Sequence, residues 1–185
     1  EAIKKGILVE FDYEALEYTL SDDEKEKLRK INAILNAPDS NMTKEQAFIK
    51  MANVRKEAED KIPAFRKYLS DNTELLKNSI IFVNSKEYGD QVIEVISQYI
   101  TDYNTFYDED NDENLQKLRD GKIQCLITCH RVSEGIDIKA LNTVVLFASN
   151  VDQRETIQRI GRTLRIDDKL PDKRAFVLDF CDANA

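Results

Sequence analysis

Three arginines fall within the eight residues "QRIGRTLR", 158–165, of a chain in which 35 Asp and Glu outnumber 27 Lys and Arg. On a helix turning about 100° per residue, Ile157, Ile160 and Leu164 share one apolar sector. Gln158, Arg162 and Arg165 share another, roughly 130° away, with Arg162 and Arg165 about 4.5 Å apart along the axis. Two guanidinium forks so placed can converge on one polyanion, because their planar donors match phosphate oxygens and stay charged. On a phosphoryl group in transfer, such a fork stabilises the developing charge, an effect of about 10³–10⁵-fold in rate. Gly161 costs a helix about 1 kcal/mol and leaves room for a neighbour to approach. Arg159 points elsewhere and suits a structural ion pair. The alternative is a solvated amphipathic helix whose arginines meet water or Asp167 and Asp168, and the octapeptide alone leaves both open.

A second candidate is "TCHRVSEGIDI", 128–138. Gly135 permits a tight backbone path, and Asp137 can accept from sugar hydroxyls or pair with an arginine. Thr128 can donate to a phosphate, a contact that positions but carries no sequence information. The plain alternative is a strand-to-loop connection with Ile136 and Ile138 packed inward. Metal chemistry finds little support. Cys125, Cys129 and Cys181 form no paired set, and His130 is the single histidine. Cys125 and Cys129 read as small buried hydrophobes, compatible with a reducing cytoplasm. Asp108, Asp110 and Asp112 alternate as in a calcium loop, but Glu113 and Arg119 stand where Gly and Glu are needed, so a solvated loop is expected.

These residues must be positioned by regular elements. "SIIFVNS" (79–85), "IQCLITC", "TVVLFAS" and "RAFVLDF" are short apolar runs of the kind buried on both sheet faces, and they alternate with helical stretches at about 86–100, before Gly121 and around the octapeptide. That rhythm predicts an α/β fold with a parallel sheet, helices on both faces and ligands beyond the C-terminal strand ends. The positions there are Asn84 and Ser85, then 128–137, then Ser149 and Asn150. Ahead of this unit, 7–11 and 16–20 read as a short strand pair and 21–71 as a helical segment. Ser21 is a predicted N-cap, Thr43 and Gln46 a capping box, and Pro63 a break. The predicted division is 1–20, 21–71 and 72–185.

In order and in spacing, "SIIFVNS", "TCHRVSEGIDI" and "QRIGRTLR" resemble motifs IV, V and VI of the second RecA-like lobe of superfamily 2 DEAD/DEAH-type helicases, while the leading strands and helices resemble, more loosely, the lead-in to this lobe in DNA-repair and restriction-type members. The resemblance implies a RecA-like sheet whose Arg162 and Arg165 act as arginine fingers on the γ-phosphate of ATP, with Gln158 beside them. It places Gly135 and Asp137 near the nucleotide, and Thr128, Asn84 and Ser85 along the nucleic-acid backbone. Gln158 and Thr163-Leu164 depart from the DEAD-box RNA helicase pattern and lean towards DNA. The acidic 103–118 region lacks the usual basic signature. ATP and Mg²⁺ would be held mainly by a first lobe, since no G-x-x-x-x-G-K-[ST] loop or Asp-Glu metal motif occurs here.

The expected partners are that first lobe of the same polypeptide and DNA in preference to RNA, with the 185-residue piece inactive alone. A chain starting at Glu1 suggests a fragment or processed piece. A net charge of −8 argues against binding nucleic acid by bulk charge. No apolar run approaches a membrane span, so a cytoplasmic protein is expected. A non-catalytic docking lobe would be expected to lack a finger arginine, and both are present; a duplex translocase that separates no strands fits equally well.

Overall fold

The computed structural model describes residues 11–129, 141–149 and 174–185. Among these residues six parallel strands form one sheet in the order β1-β6-β5-β2-β4-β3. They are β1 (Phe11–Tyr18), β2 (Ser79–Phe82), β3 (Tyr103–Phe106), β4 (Cys125–Thr128), β5 (Thr143–Leu146) and β6 (Ala175–Asp182). The α-helices among the described residues are α1 (Asp22–Leu35), α2 (Lys44–Lys56), α3 (Lys61–Asp71), α4 (Lys86–Ile96) and α5 (Glu113–Arg119). The expected RecA-like parallel α/β sheet is therefore present.

Alternation along each strand builds two cores. Ile81, Val83, Ile127, Val145, Phe147, Leu178 and Phe180 face α3 and α4, packing with Phe65, Leu69, Val92 and Ile96. Ile80, Phe82, Leu126, Val144, Leu146 and Val177 face the other way, onto Leu115 and Leu118 of α5. Every residue of β2, β4 and β5 is buried, which is why these strands read as unbroken apolar runs. α5 closes with Gly121 at φ 71°. Lys122 N donates to Lys117 O at 2.8 Å and Gly121 N to Leu118 O at 3.1 Å, a Schellman closure that glycine adopts without strain.

The leading segment differs from expectation in two places. Of the expected strand pair, 7–10 lie outside the described residues; the described part is one strand, β1, which runs through the expected break at 12–15 and pairs in parallel with β6 from Phe11↔Ala175 to Tyr18↔Asp182. Exposed Asp12, Glu14 and Glu17 hid it, because acids on an edge strand imitate a turn while guarding the edge from further pairing. Cross-strand partners compensate: Arg174 Nη2 reaches Asp12 Oδ1 at 2.6 Å, and the Tyr13 hydroxyl donates to Asp179 Oδ2 at 2.6 Å. The second difference concerns Pro63. The chain breaks at 57–60, and Pro63 sits in the first turn of α3, where the missing N–H has no intrahelical acceptor to serve. Both capping boxes form: Glu24 N donates to Ser21 Oγ and Ser21 N to Glu24 Oε2, while Thr43 and Gln46 exchange the same pair of bonds.

α1 and α2 make a hairpin whose apolar side chains are thinly covered; Ile34, Phe48 and Ile49 are exposed. Its base is tied to the C-terminal edge of the sheet. Asp60 Oδ2 accepts from Thr19 N at 2.8 Å, and Glu24, 4% exposed, accepts from Glu59 N at 2.9 Å.

Candidate nucleotide and nucleic-acid site

Because the sheet is parallel, the C-terminal ends of β2, β4 and β5 lie side by side. Phe82 registers with Thr128 on one side and with Leu146 on the other. Asn84 and Ser85 therefore emerge between Cys129 and the Phe147–Ser149 exit. β4 runs directly into the stretch holding Gly135 and Asp137, and β5 leads towards the stretch holding Gln158, Arg162 and Arg165. Those five residues lie outside the described residues, as do residues 1–10 of the lead-in.

The three described site residues have distinct surroundings. Ser85 is the N-cap of α4, its Oγ accepting from Tyr88 N at 3.2 Å, so it starts the helix that covers the β2–β4 side. Asn84 Nδ2 donates to Glu57 Oε1 at 3.0 Å, joining the strand exit to the α2–α3 junction. Thr128 is fully buried, and its hydroxyl donates to Phe106 O at 2.8 Å. A phosphate contact from Thr128 would require that hydroxyl to leave a bond inside the sheet. Asn84 and Ser85 are half-exposed and have easier access to a ligand.

The β3–β4 side of this edge is acidic. Burial, then Asp108, Glu87, Glu57 and Asp90, push the Cys129 thiol up to about 11, far from a reactive thiolate. Burial with the same kind of neighbours raises the Tyr107 hydroxyl. Lys86 pairs with Glu109 at 2.8 Å. The acidic loop is self-contained: Asp110 Oδ2 accepts from Tyr107 N at 2.8 Å and Thr105 Oγ1 at 2.9 Å. Among the described residues no cluster of three or more His, Cys, Asp or Glu side chains is arranged to hold a metal ion. Cys125, Cys129 and Cys181 are free thiols, Cys125 fully buried.

Sequence reasoning missed Lys61. It lay in a run of interleaved charges that reads as a solvated face, yet the side chain is 3% exposed. Its neighbours Ile62, Phe65 and Leu69 place it beside the apolar stripe of α3, the one local sign of burial. Nζ donates to Phe147 O at 3.0 Å and to Lys56 O at 3.4 Å. It also lies over the rings of Tyr18, at 4.7 Å, and Phe180, at 5.6 Å. Burial lowers its pKa to about 8, opposed by Asp179 and Glu24.

Comparison with known proteins fits this architecture. The family model "Helicase conserved C-terminal domain" matches residues 60–167. The chain is 31% identical over 90 residues to the pre-mRNA-splicing ATP-dependent RNA helicase PRP28 of Cryptococcus neoformans, covering 46% of this chain and 12% of that protein. It is 27% identical over 119 residues to the DNA 3'-5' translocase XPB2 of Sulfurisphaera tokodaii, covering 63% of this chain and 26% of that protein. In fold it matches the Sulfolobus solfataricus SWI2/SNF2 ATPase core domain with a TM-score of 0.62 and 14% identity, covering 92% of this chain and 39% of that one. The chain thus spans well under half the length of these proteins. No helix among the described residues is long and apolar enough to cross a membrane. A six-stranded parallel sheet among the described residues and a family match over more than half the chain mean that this chain belongs to the helicase conserved C-terminal domain family.

Proposed function

We propose that this lobe completes the ATPase of a DNA-directed helicase or translocase by supplying charge to a nucleotide gripped elsewhere. ATP and Mg²⁺ are held mainly by a first motor lobe of the same polypeptide. When bound, they supply the phosphoryl group to be cleaved and the metal charge that spreads over its oxygens. This chain's share is made by its own residues. Arg162 and Arg165 offer forked donors to the outer phosphate, and Gln158 orients the group beside them. Gly135 lets the backbone run close to the nucleotide, with Asp137 at its sugar or braced on an arginine. These roles suit the residues chemically, since guanidinium forks match phosphate oxygens whereas the carboxylates beside Cys129 repel them. Asn84 and Ser85 hold the nucleic-acid backbone at the strand ends, and Thr128 joins them only by releasing the Phe106 carbonyl.

The observation that carries this reading is the β5–β2–β4 register, which supports the exits to all three motifs lying on one edge of one sheet. Opening and closing of the two lobes over that edge would step them along a strand. The test is nucleic-acid-stimulated ATP hydrolysis by the full-length protein. Arg162→Ala should abolish turnover while leaving ATP binding within a few-fold, and retained turnover would remove the finger assignment. DNA is preferred because Gln158 and Thr163-Leu164 depart from the DEAD-box RNA pattern. Stronger stimulation by RNA than by DNA of equal length would reverse that preference. The isolated 185-residue chain should hydrolyse no ATP.

A further inference from the structure

Residues 57–61 join α2 to α3 and touch the exits of three strands. Asp60 binds Thr19 after β1, Glu57 binds Asn84 after β2, and Lys61 binds Phe147 after β5. Ala58 O also accepts from the Tyr88 hydroxyl of α4 at 2.8 Å. The Phe147 contact is the most constrained. Phe147 N donates to Phe82 O at 2.9 Å, and its ring stacks on Phe180 at 4.5 Å and meets Phe65 edge-on at 5.1 Å. Lys61 then takes the carbonyl, at the point where the chain leaves the sheet for the arginine-bearing stretch.

A lysine is a costly choice there. It is buried, it stands at the first position of α3 where the helix dipole opposes a cation, and the two hydrogen bonds described for it go to carbonyls. An apolar side chain would fill the space without that cost but could not hold a main-chain oxygen. We propose that Lys61 is a positioning residue for hydrolysis: its ammonium fixes the main chain at the β5 exit and couples the α1–α3 segment to the placement of Arg162 and Arg165. The proposal rests on the finger reading of those arginines. Around the ammonium, Asp179 of β6 and Glu24 of α1 favour the charge, Lys56 of α2 opposes it, and the Tyr18 hydroxyl of β1 stays protonated up to about 12.

The full-length protein tests this through the pH dependence of nucleic-acid-stimulated ATPase. With Lys61 losing its proton near pH 8, wild-type kcat should decline above that pH. Lys61→Met should lower kcat about tenfold at pH 7, leave KM for ATP within about twofold, and show a flat profile between pH 7 and 9. Lys61→Arg, which stays charged and keeps donors, should retain kcat within about threefold of wild type and lose the decline. Should the Met variant not fold, the Arg variant decides alone. A Met variant with wild-type kcat and profile, or an Arg variant that is inactive or keeps the decline, overturns the proposal. Arg162→Ala, measured in parallel, separates the two readings. If that variant turns over ATP, the finger assignment fails whatever Lys61 does; if it is inactive, the Lys61 results bear on positioning alone.

Discussion

Gly89 lies in α4 one turn after Ser85, and a Cβ there would overlap the Tyr107 hydroxyl, with Tyr107 Cζ at 3.1 Å and Val83 Cγ2 at 3.2 Å. That hydroxyl is buried with no hydrogen-bond partner among the described residues. Gly89→Ala sets two effects against each other. Helix propensity favours Ala by about 1 kcal/mol, whereas forcing a methyl into a packed site costs about 1–3 kcal/mol. A net loss of about 1 kcal/mol is expected. Tyr107→Phe removes both the overlap and an unpaired buried polar group, whose burial costs about 1–3 kcal/mol, so it should stabilise by roughly 1 kcal/mol. With the hydroxyl gone, the nearest of the contacts given for a methyl group on Cα of position 89 are those at 3.1 and 3.2 Å, tight but open to small relaxation, and the propensity gain should emerge. Urea unfolding of wild type, both single variants and the double variant gives the coupling directly, expected at about 1–2 kcal/mol in favour of the double. Additivity within about 0.5 kcal/mol would refute the claim that the hydroxyl is what excludes a side chain from position 89 and so sets how closely α4 seats on the strand ends.

Other consequences follow from the same packing. Lys61 has a native pKa of about 8 against an ordinary 10.5, so between those values the unfolded chain binds more protons and stability rises with pH. Relative to Lys61→Met, wild type should gain about 2 kcal/mol from pH 7 to 9.5, roughly 4–8 °C in thermal midpoint, and the comparison cancels the opposing thiols Cys125 and Cys129; a constant difference would contradict the buried charge. Ser21→Ala should cost about 1 kcal/mol in chemical unfolding by removing the acceptor for Glu24 N. Phe48→Ser, at 65% exposure, should change stability by less than about 0.5 kcal/mol, and a larger loss would mean that α2 packs more tightly than described.

The central sheet was legible because burial on both faces leaves β2, β4 and β5 as uninterrupted apolar runs. Capping chemistry at Ser21 and Thr43 was legible because it is settled within four residues. β1 was not, since Asp12, Glu14 and Glu17 belong to an edge whose partners, Asp179 and Arg174, stand more than 160 residues away. Pro63 pointed to a break within a few residues of the real one, because proline marks a helix start as readily as an end. The motif residues were recognisable by type and order, but what each touches depends on tertiary neighbours. Thr128 carries the hydroxyl that a phosphate contact needs, and only the β3–β4 pairing shows that hydroxyl on Phe106 O. Lys61 was illegible for the same reason: one lysine among alternating charges is chosen for burial by the strand ends above it.

The most direct measurement is a structure of the full-length protein closed on DNA with a nucleotide transition-state analogue. The expected result is that the guanidinium groups of Arg162 and Arg165 lie within hydrogen-bond distance of the analogue's terminal phosphate mimic. Both groups facing solvent in that closed state, with the phosphate mimic contacted only by the other lobe, would contradict it.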